Sequence, residues 1–352
     1  MKYRFLCVLL LLMSLLVCAC TKQQESTTLE NPDHDRMNLT IQVDEEERLL
    51  TIRQGIKLRN HTGQTQSALC LRAYANAYMS SETSPCGDSE MLGADCYPEG
   101  FSIGWLKVSA ACELNQQGEP TAGIDYRYTD ENRQTLLLPL SAPWQPGEEV
   151  SVEIQYTVYV PKAAWRFGIQ EDLWCLGDAV LVPSVWEEDA WRTDTLQPLG
   201  EPMRGDCADW NVEIIAPAEF QLISCAKIQQ REQTTDGKIR WRTAGENLRG
   251  FAFALGKNII RKEQSAEGVS ISVYAREEAA ARRILSAARD ALQVYARLLG
   301  SCPFESLSLC AGQFSRSFSE SGLILLPEDA DRYEVARVVA RQWWAAPWAA
   351  MA

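Results

Sequence analysis

Residues 331–352 read DRYEVARVVARQWWAAPWAAMA, and the reading of this stretch decides what kind of chain this is. Val335, Val338, Val339, Gln342 and Trp343 recur at three- and four-residue steps, the spacing of one helix face, so a helix is predicted across the segment. Arg337 and Arg341 stand one turn apart on it, with Val338 beside the first. A guanidinium has five N–H donors, no lone pair to offer and a permanent charge, so neither arginine can ligate a cation. Valine cannot take a proton. The two arginines read as a solvated or internally paired helix face, with an anion held between them as the alternative. Like charges at this spacing cost only about 0.2–0.5 kcal/mol, too little to demand a ligand.

The whole chain has 352 residues, of which 46% are hydrophobic and 23% charged, enough for two domains with real cores. Its formal charge of -13 argues against nucleic acid, whose binding needs a basic face. His34 and His61 are the only histidines, both near the start, so a metal site would have to be built from cysteines or carboxylates. No CxxC spacing occurs beyond the first twenty residues.

Those first residues, MKYRFLCVLLLLMSLLVCAC, place Lys2 and Arg4 before an apolar run that ends in Val17-Cys18-Ala19-Cys20. This is the pattern of a secretory leader, and its last four residues resemble a bacterial lipobox, which makes Cys20 the lipidated first residue of the mature protein. An uncleaved membrane anchor is the other reading. The polar stretch TKQQESTT (21–28) that follows favours the lipoprotein, with 21–36 as a linker. The expected location is the extracytoplasmic face of the cell envelope, held to the membrane by a lipid. No other apolar run is long enough to span a bilayer. Disulfides are allowed there. Of the nine later cysteines, Cys86 and Cys96 in a turn-rich segment are the one candidate pair; the odd number leaves at least one free thiol, and most read as buried.

From Asn38 to about Gly256 the dominant period is two. VSVEIQYTVYV (150–160) puts Val150, Val152, Ile154, Tyr156, Val158 and Val160 on one face after a Pro146-Gly147 turn, and 211–215 and 238–243 repeat the habit. From Gly268 the pattern changes. A strand is predicted at 269–275, then a long helix with Ile284, Ala288, Leu292, Tyr295 and Leu299 down one side, stopped by Gly300, with Glu278 and Arg282 as an outer pair. Apolar runs at 307–310 and 322–328 precede the terminal helix. The fold class is therefore α+β: an all-β saddle or sandwich over 37–265, then an α/β segment over 266–352. Glu187-Glu188-Asp189, between Trp186 and Trp191, has the residue types of a carboxylate pair for sugar chemistry, but an acidic run in a loop reads as solvated surface.

The segment RVVARQWW (337–344) resembles the zinc helix HExxHQWW of the gluzincin aminopeptidases, the membrane alanyl aminopeptidase family. Weaker likenesses follow the family's order: ERLLTIRQGIKLRN (47–60) as opening strands and LRAYANAY (71–78) as a strand ending in an Asn. WRFG (165–168), GDCADWNVEIIAPAEF (205–220) and ENLRGFAFALG (246–256) fit later signatures, although Gly250 stands where the family has Asp. The resemblance implies a thermolysin-like second domain, here partial. It also implies that Arg337 and Arg341 replace the two zinc-binding His and that Val338 replaces the catalytic Glu. The third zinc ligand, a Glu on a later helix, would fall at Met351 or beyond the chain. The family's G-x-M-E-N strand, whose Glu binds the substrate amine, aligns on Gly322 with Ser319 at the Glu position and Glu320 one residue out of step.

What this implies is a degenerate member in which zinc is lost and no cofactor replaces it: a pseudopeptidase that binds a peptide or protein partner. An accessory lipoprotein subunit of a membrane transport complex, and a fragment of a zinc aminopeptidase, are the alternatives. Trp343, Trp344 and Trp348 are expected to form an exposed apolar patch.

Overall fold

A computed structural model describes residues 34–92, 95–197 and 205–345. Cys20 and the rest of the leader, like Trp348 and Met351, lie outside the described residues.

Alternating apolar residues build an eight-stranded sheet. Its order is Lys227–Gln233, Ile239–Leu248, Ala208–Ala216, Arg36–Asp44, Leu49–Arg59, Glu149–Tyr159, Trp105–Leu114 and Pro120–Gly123. Arg36–Asp44 runs parallel to Ala208–Ala216 and antiparallel to Leu49–Arg59. Met37, Leu39, Ile41 and Val43 alternate onto the buried face with Leu50, Ile52, Val152, Ile154 and Val158. Gln54 is a polar residue on that face, and both ends of its amide are satisfied: Nε2 donates to the Leu181 carbonyl at 2.9 Å while Oε1 accepts from Tyr156 at 2.6 Å. Two four-stranded sheets pack into the same core.

A five-stranded sheet follows, ordered Ile260–Ala266, Val269–Ala275, Ser306–Gly312, Leu323–Pro327 and Phe318–Glu320. It is buried on both faces in part, and its period of two divides the residues. Ile271, Val273, Leu307, Leu309, Ile324 and Leu326 face a helical layer made of α1 (Glu278–Leu299) and α2 (Arg332–Ala340). Tyr274, Cys310, Leu323 and Leu325 turn the other way and join the core of the β-rich part. The sheet is thus a wall shared by two hydrophobic cores.

Several expectations need correction. The helix expected through 331–352 is two pieces, α2 and the single turn α3 (Gln342–Ala345), with Arg341 between them. The strand expected to run to residue 78 ends at Arg72, and Tyr74–Met79 is a 3-10 helix. Asn76 holds that turn: its amide donates to the Arg133 carbonyl at 2.7 Å and its oxygen accepts the Leu106 N–H at 2.7 Å. Leu299 lies at the outer end of α1, 41% exposed, rather than on the buried stripe. Trp343 is not part of an exposed patch. It is buried against Tyr295, with its indole N–H on the Gly300 carbonyl at 3.0 Å, and among the described residues of the expected patch Trp344 alone stands out, at 60% exposure. The acidic run forms a hairpin turn in which Glu188 and Asp189 adopt positive φ, Glu187 pairs with Arg192, and Trp186 packs edge-on against Trp191.

Candidate functional site

The site is built where α2 meets the strand Phe318–Glu320. Asp331 caps α2, its Oδ1 accepting the N–H groups of Tyr333 at 2.9 Å and Glu334 at 2.8 Å. The helix then buries Val335, Val338 and Val339 completely against the sheet. Arg337 lies on the opposite, solvent side and forks onto Glu334, with Nε and Nη2 at 2.9 and 2.6 Å from its two carboxylate oxygens. That pairing holds the Glu334 carboxyl below its ordinary range. Arg341 sits at the end of α2, partly buried.

Ser319 and Glu320 are both buried, and the strand sends them opposite ways. Ser319 turns toward the helices, donating to the Val338 carbonyl at 3.3 Å and accepting from Gln342 Nε2 at 2.8 Å. Glu320 turns toward the β-rich part, its Oε1 coming within 3.5 Å of where a Cβ on Gly177 would stand. There it lines a cavity of about 30 Å³ with Tyr74, Asp178, Arg249 and Phe251. Arg166 closes on Asp178 from behind, Nε to Oδ2 at 3.2 Å, as an ion pair in which both partners are almost wholly buried. Tyr78 adds its hydroxyl to the same oxygen at 3.0 Å. Gly322 keeps the approach close: its φ is +73°, and a Cβ there would fall 2.2 Å from the Cys225 carbonyl.

The structure therefore brings Ser319, Val338 and Gln342 together and keeps Arg337 apart on the surface. Asp178 lies in no stretch singled out from the sequence, whereas Tyr74 and Tyr78 lie in LRAYANAY. Arg166 and Arg249 were present in the stretches WRFG and ENLRGFAFALG, but a signature does not reveal that Arg249 lines a cavity with Asp178 while Arg166 pairs with that carboxylate.

The residues do not fit a zinc ion. A metal needs lone pairs converging on one point. At the positions that the resemblance would assign to the two ligands stand a guanidinium bound to Glu334 in solvent and a guanidinium at the helix end, and at the one it would assign to the base stands an alkyl group inside the core. Among the described residues no three His, Cys, Asp or Glu side chains gather closely enough to hold a metal.

A second, larger concavity of about 710 Å³ opens on the uncovered half of the five-stranded sheet. Its floor is Arg261 and Glu263 with Ser270, Ser272, Ser306 and Ser308, and one wall is Lys227 and Arg231.

No protein-family model matches the chain, and no curated protein is significantly similar to it in sequence. Its architecture, however, is found among solved structures. An M1 zinc metallopeptidase from Deinococcus radiodurans matches with a TM-score of 0.57 at 13% identity, over 89% of this chain and 64% of its own. A mutant of a two-domain M1 zinc metallopeptidase bound to L-arginine matches with a TM-score of 0.57 at 14% identity, over 89% of this chain and 65% of its own. A further mutant from Deinococcus radiodurans, bound to a Tyr-Ser-Ala substrate, gives the same figures. The chain thus spans 64–65% of the length of those structures. At such identity the likeness speaks for architecture alone, because activity resides in the site. The chain has the fold of the M1 zinc metallopeptidases, the gluzincin aminopeptidases: a β-rich N-terminal part followed by an α/β part.

Proposed function

We propose that this chain is a non-catalytic protein on an aminopeptidase fold, which binds a peptide or protein partner at the extracytoplasmic face of a membrane while held there through a lipid on Cys20. One observation supports the non-catalytic part above all. Val338, at the position that carries the catalytic Glu in the resembling family, is 0% exposed and belongs to the helix–sheet core. Arg337 beside it is neutralised by Glu334 rather than turned toward the Glu320 cavity. That cavity, about 30 Å³, has no room for a peptide end. The zinc of the resembling family has no donors here, so no step runs through a metal.

The partner has more room in the serine-floored groove, whose 710 Å³ lies in the range of ligand sites. Its hydroxyls and its cations and carboxylates suit the alternating donors and acceptors of an extended peptide. The groove is lined partly by Lys227–Gln233 and Ile260–Ala266, which are edge strands of their sheets.

Metal analysis of protein purified without added zinc, run beside hydrolysis of aminoacyl anilides, tests the first part. Less than stoichiometric zinc and no turnover are expected; stoichiometric zinc with turnover would overturn it. A peptide-array screen tests the second part, with binding expected to fall in Ser270→Trp, which fills the groove. Cross-linking on cells then separates a membrane-protein partner from free peptides. Incorporation of labelled fatty acid, lost in Cys20→Ser, tests the anchor.

A further inference from the structure

The segment between Tyr78 and Gly104 has little regular structure beyond one helical turn at Ser89–Leu92, yet both of its cysteines are driven inside, each 1% exposed. They meet there. The Cys96 thiol hydrogen-bonds Cys86, and a ring of hydroxyls surrounds the two sulfurs. Ser84 Oγ lies 3.4 Å from Cys86 Sγ and 2.8 Å from the Tyr97 hydroxyl, while the Cys86 N–H donates to Ser84 Oγ at 3.3 Å. The Tyr97 hydroxyl also bonds Cys86, and Ser315, from the segment before the Phe318–Glu320 strand, bonds Cys96. The Cys96 carbonyl accepts the Ala164 N–H at 2.9 Å.

We infer that Cys86 and Cys96 are a redox pair, a dithiol that an external disulfide converts to an intramolecular disulfide closing this segment.

The two sulfurs are unequal, which gives the exchange a direction. Burial raises the Cys86 thiol, but hydrogen bonds from Cys96, Ser84 and Tyr97 together outweigh it and leave Cys86 lowered. The bond to Cys86 raises Cys96, and burial adds to that. Elsewhere burial wins: Cys70 is pushed up to about 11, and Cys225 and Cys310 to about 12. Those thiols are inert at neutral pH. Cys86 as thiolate attacks one sulfur of the external disulfide RSSR, forming a mixed disulfide and releasing RS⁻, which takes up the proton that Cys86 gave up. Cys96 then attacks Sγ of Cys86, the mixed bond breaks, and the second RS⁻ leaves with the proton of Cys96. The sum is two thiols and RSSR to one protein disulfide and two RSH, two electrons passing to the external disulfide. Because both sulfurs are buried, exchange proceeds when the segment opens locally or before it docks. The pair lies within electrostatic reach of Tyr78 and Asp178, so the bond fastens a segment beside the buried ion pair of the candidate site.

Trypsin isolates the pair. The peptide Ala73–Lys107 holds Cys86 and Cys96 and no other cysteine. The full chain, equilibrated across oxidised-to-reduced glutathione ratios and alkylated in denaturant without reductant, is expected to yield this peptide unalkylated and two hydrogens lighter at oxidising ratios. It is expected doubly alkylated at reducing ones. A peptide alkylated twice at every ratio, or joined to a cysteine of another peptide, overturns the inference. In Cys86→Ser the unalkylated form is expected to disappear. Should that variant fail to fold, the double variant Cys86→Ala/Cys96→Ala carries the test. Reductant is expected to lower the melting temperature of the native protein and leave the double variant unmoved; an equal shift in both counts against the pair.

Discussion

Gln342 donates its side-chain amide to the hydroxyl of Ser319 at 2.8 Å, and this contact fastens the last helical turn to the strand beside it. The same amide reaches the Glu320 carbonyl at 3.1 Å, and its oxygen accepts the Gly322 N–H at 2.9 Å. Gln342 is 0% exposed, so no water replaces a lost partner. One side chain thereby holds both ends of the tight turn between two strands.

Gln342→Leu keeps the volume and removes all three bonds, leaving a buried N–H, hydroxyl and carbonyl short of partners. A loss of roughly 3 kcal/mol of unfolding free energy is expected, since each orphaned buried group costs about 1–3 kcal/mol. Urea denaturation measures it, and a change under about 1 kcal/mol would show that the turn is held by packing instead.

Neighbouring positions on α2 should differ sharply. Arg337→Ala breaks an exposed i,i+3 pair and is expected to change stability by no more than about 0.5 kcal/mol. Val338→Glu puts a carboxylate into the helix–sheet core and should cost about 3 kcal/mol or more. If chemical denaturation found the two equally mild, the assignment of the buried face would be wrong.

The Arg166–Asp178 pair offers a third measurement. Arg166→Met strands a buried carboxylate and is expected to cost about 3–5 kcal/mol. The double variant Arg166→Met/Asp178→Leu removes both charges and should recover part of that loss, although Tyr78 then lacks its acceptor. A double variant as unstable as the single one would show that packing, not the stranded charge, sets the cost.

Acid should release Glu334. Its folded pKa is depressed by the hydrogen bond and charge of Arg337, so its contribution is fully present above the unfolded value of about 4.3 and is lost as pH falls through the lower folded value. In Arg337→Ala the midpoint is expected to move back up toward the ordinary one. Carbon-detected NMR titration of the Glu334 carboxyl reads both midpoints, and identical values in the two proteins would contradict the pairing.

The β-rich half and the α1 helix were legible because their signals are local. Val152, Ile154, Tyr156 and Val158 alternate as written and alternate as folded, and Gly300, with φ at +90°, ends α1 where the pattern stops. The Glu278–Arg282 pair also follows from spacing alone. Leu299 misled because periodicity continues past the edge of the surface that a helix covers. Trp343 misled for the converse reason: the partners that bury it are distant in sequence, Tyr295 on α1 and the Gly300 carbonyl just past its end.

From the sequence alone followed the fold class, the arginines at 337 and 341 and the valine at 338, and hence the lack of a metal-binding lone pair at those three positions. These are properties of residue type and short-range spacing. Only the tertiary structure decided that Arg337 takes Glu334 as its partner, where the sequence left a solvated face, an internal pair and a bound anion open. It alone set what Ser319 and Glu320 meet on the two sides of their strand, walled a small cavity with Asp178, Glu320 and Arg249, and brought Cys86 to Cys96. The physical reason is that a strand's period says which residues share a face, whereas the partner of that face is chosen by how distant sheets and helices exclude water together.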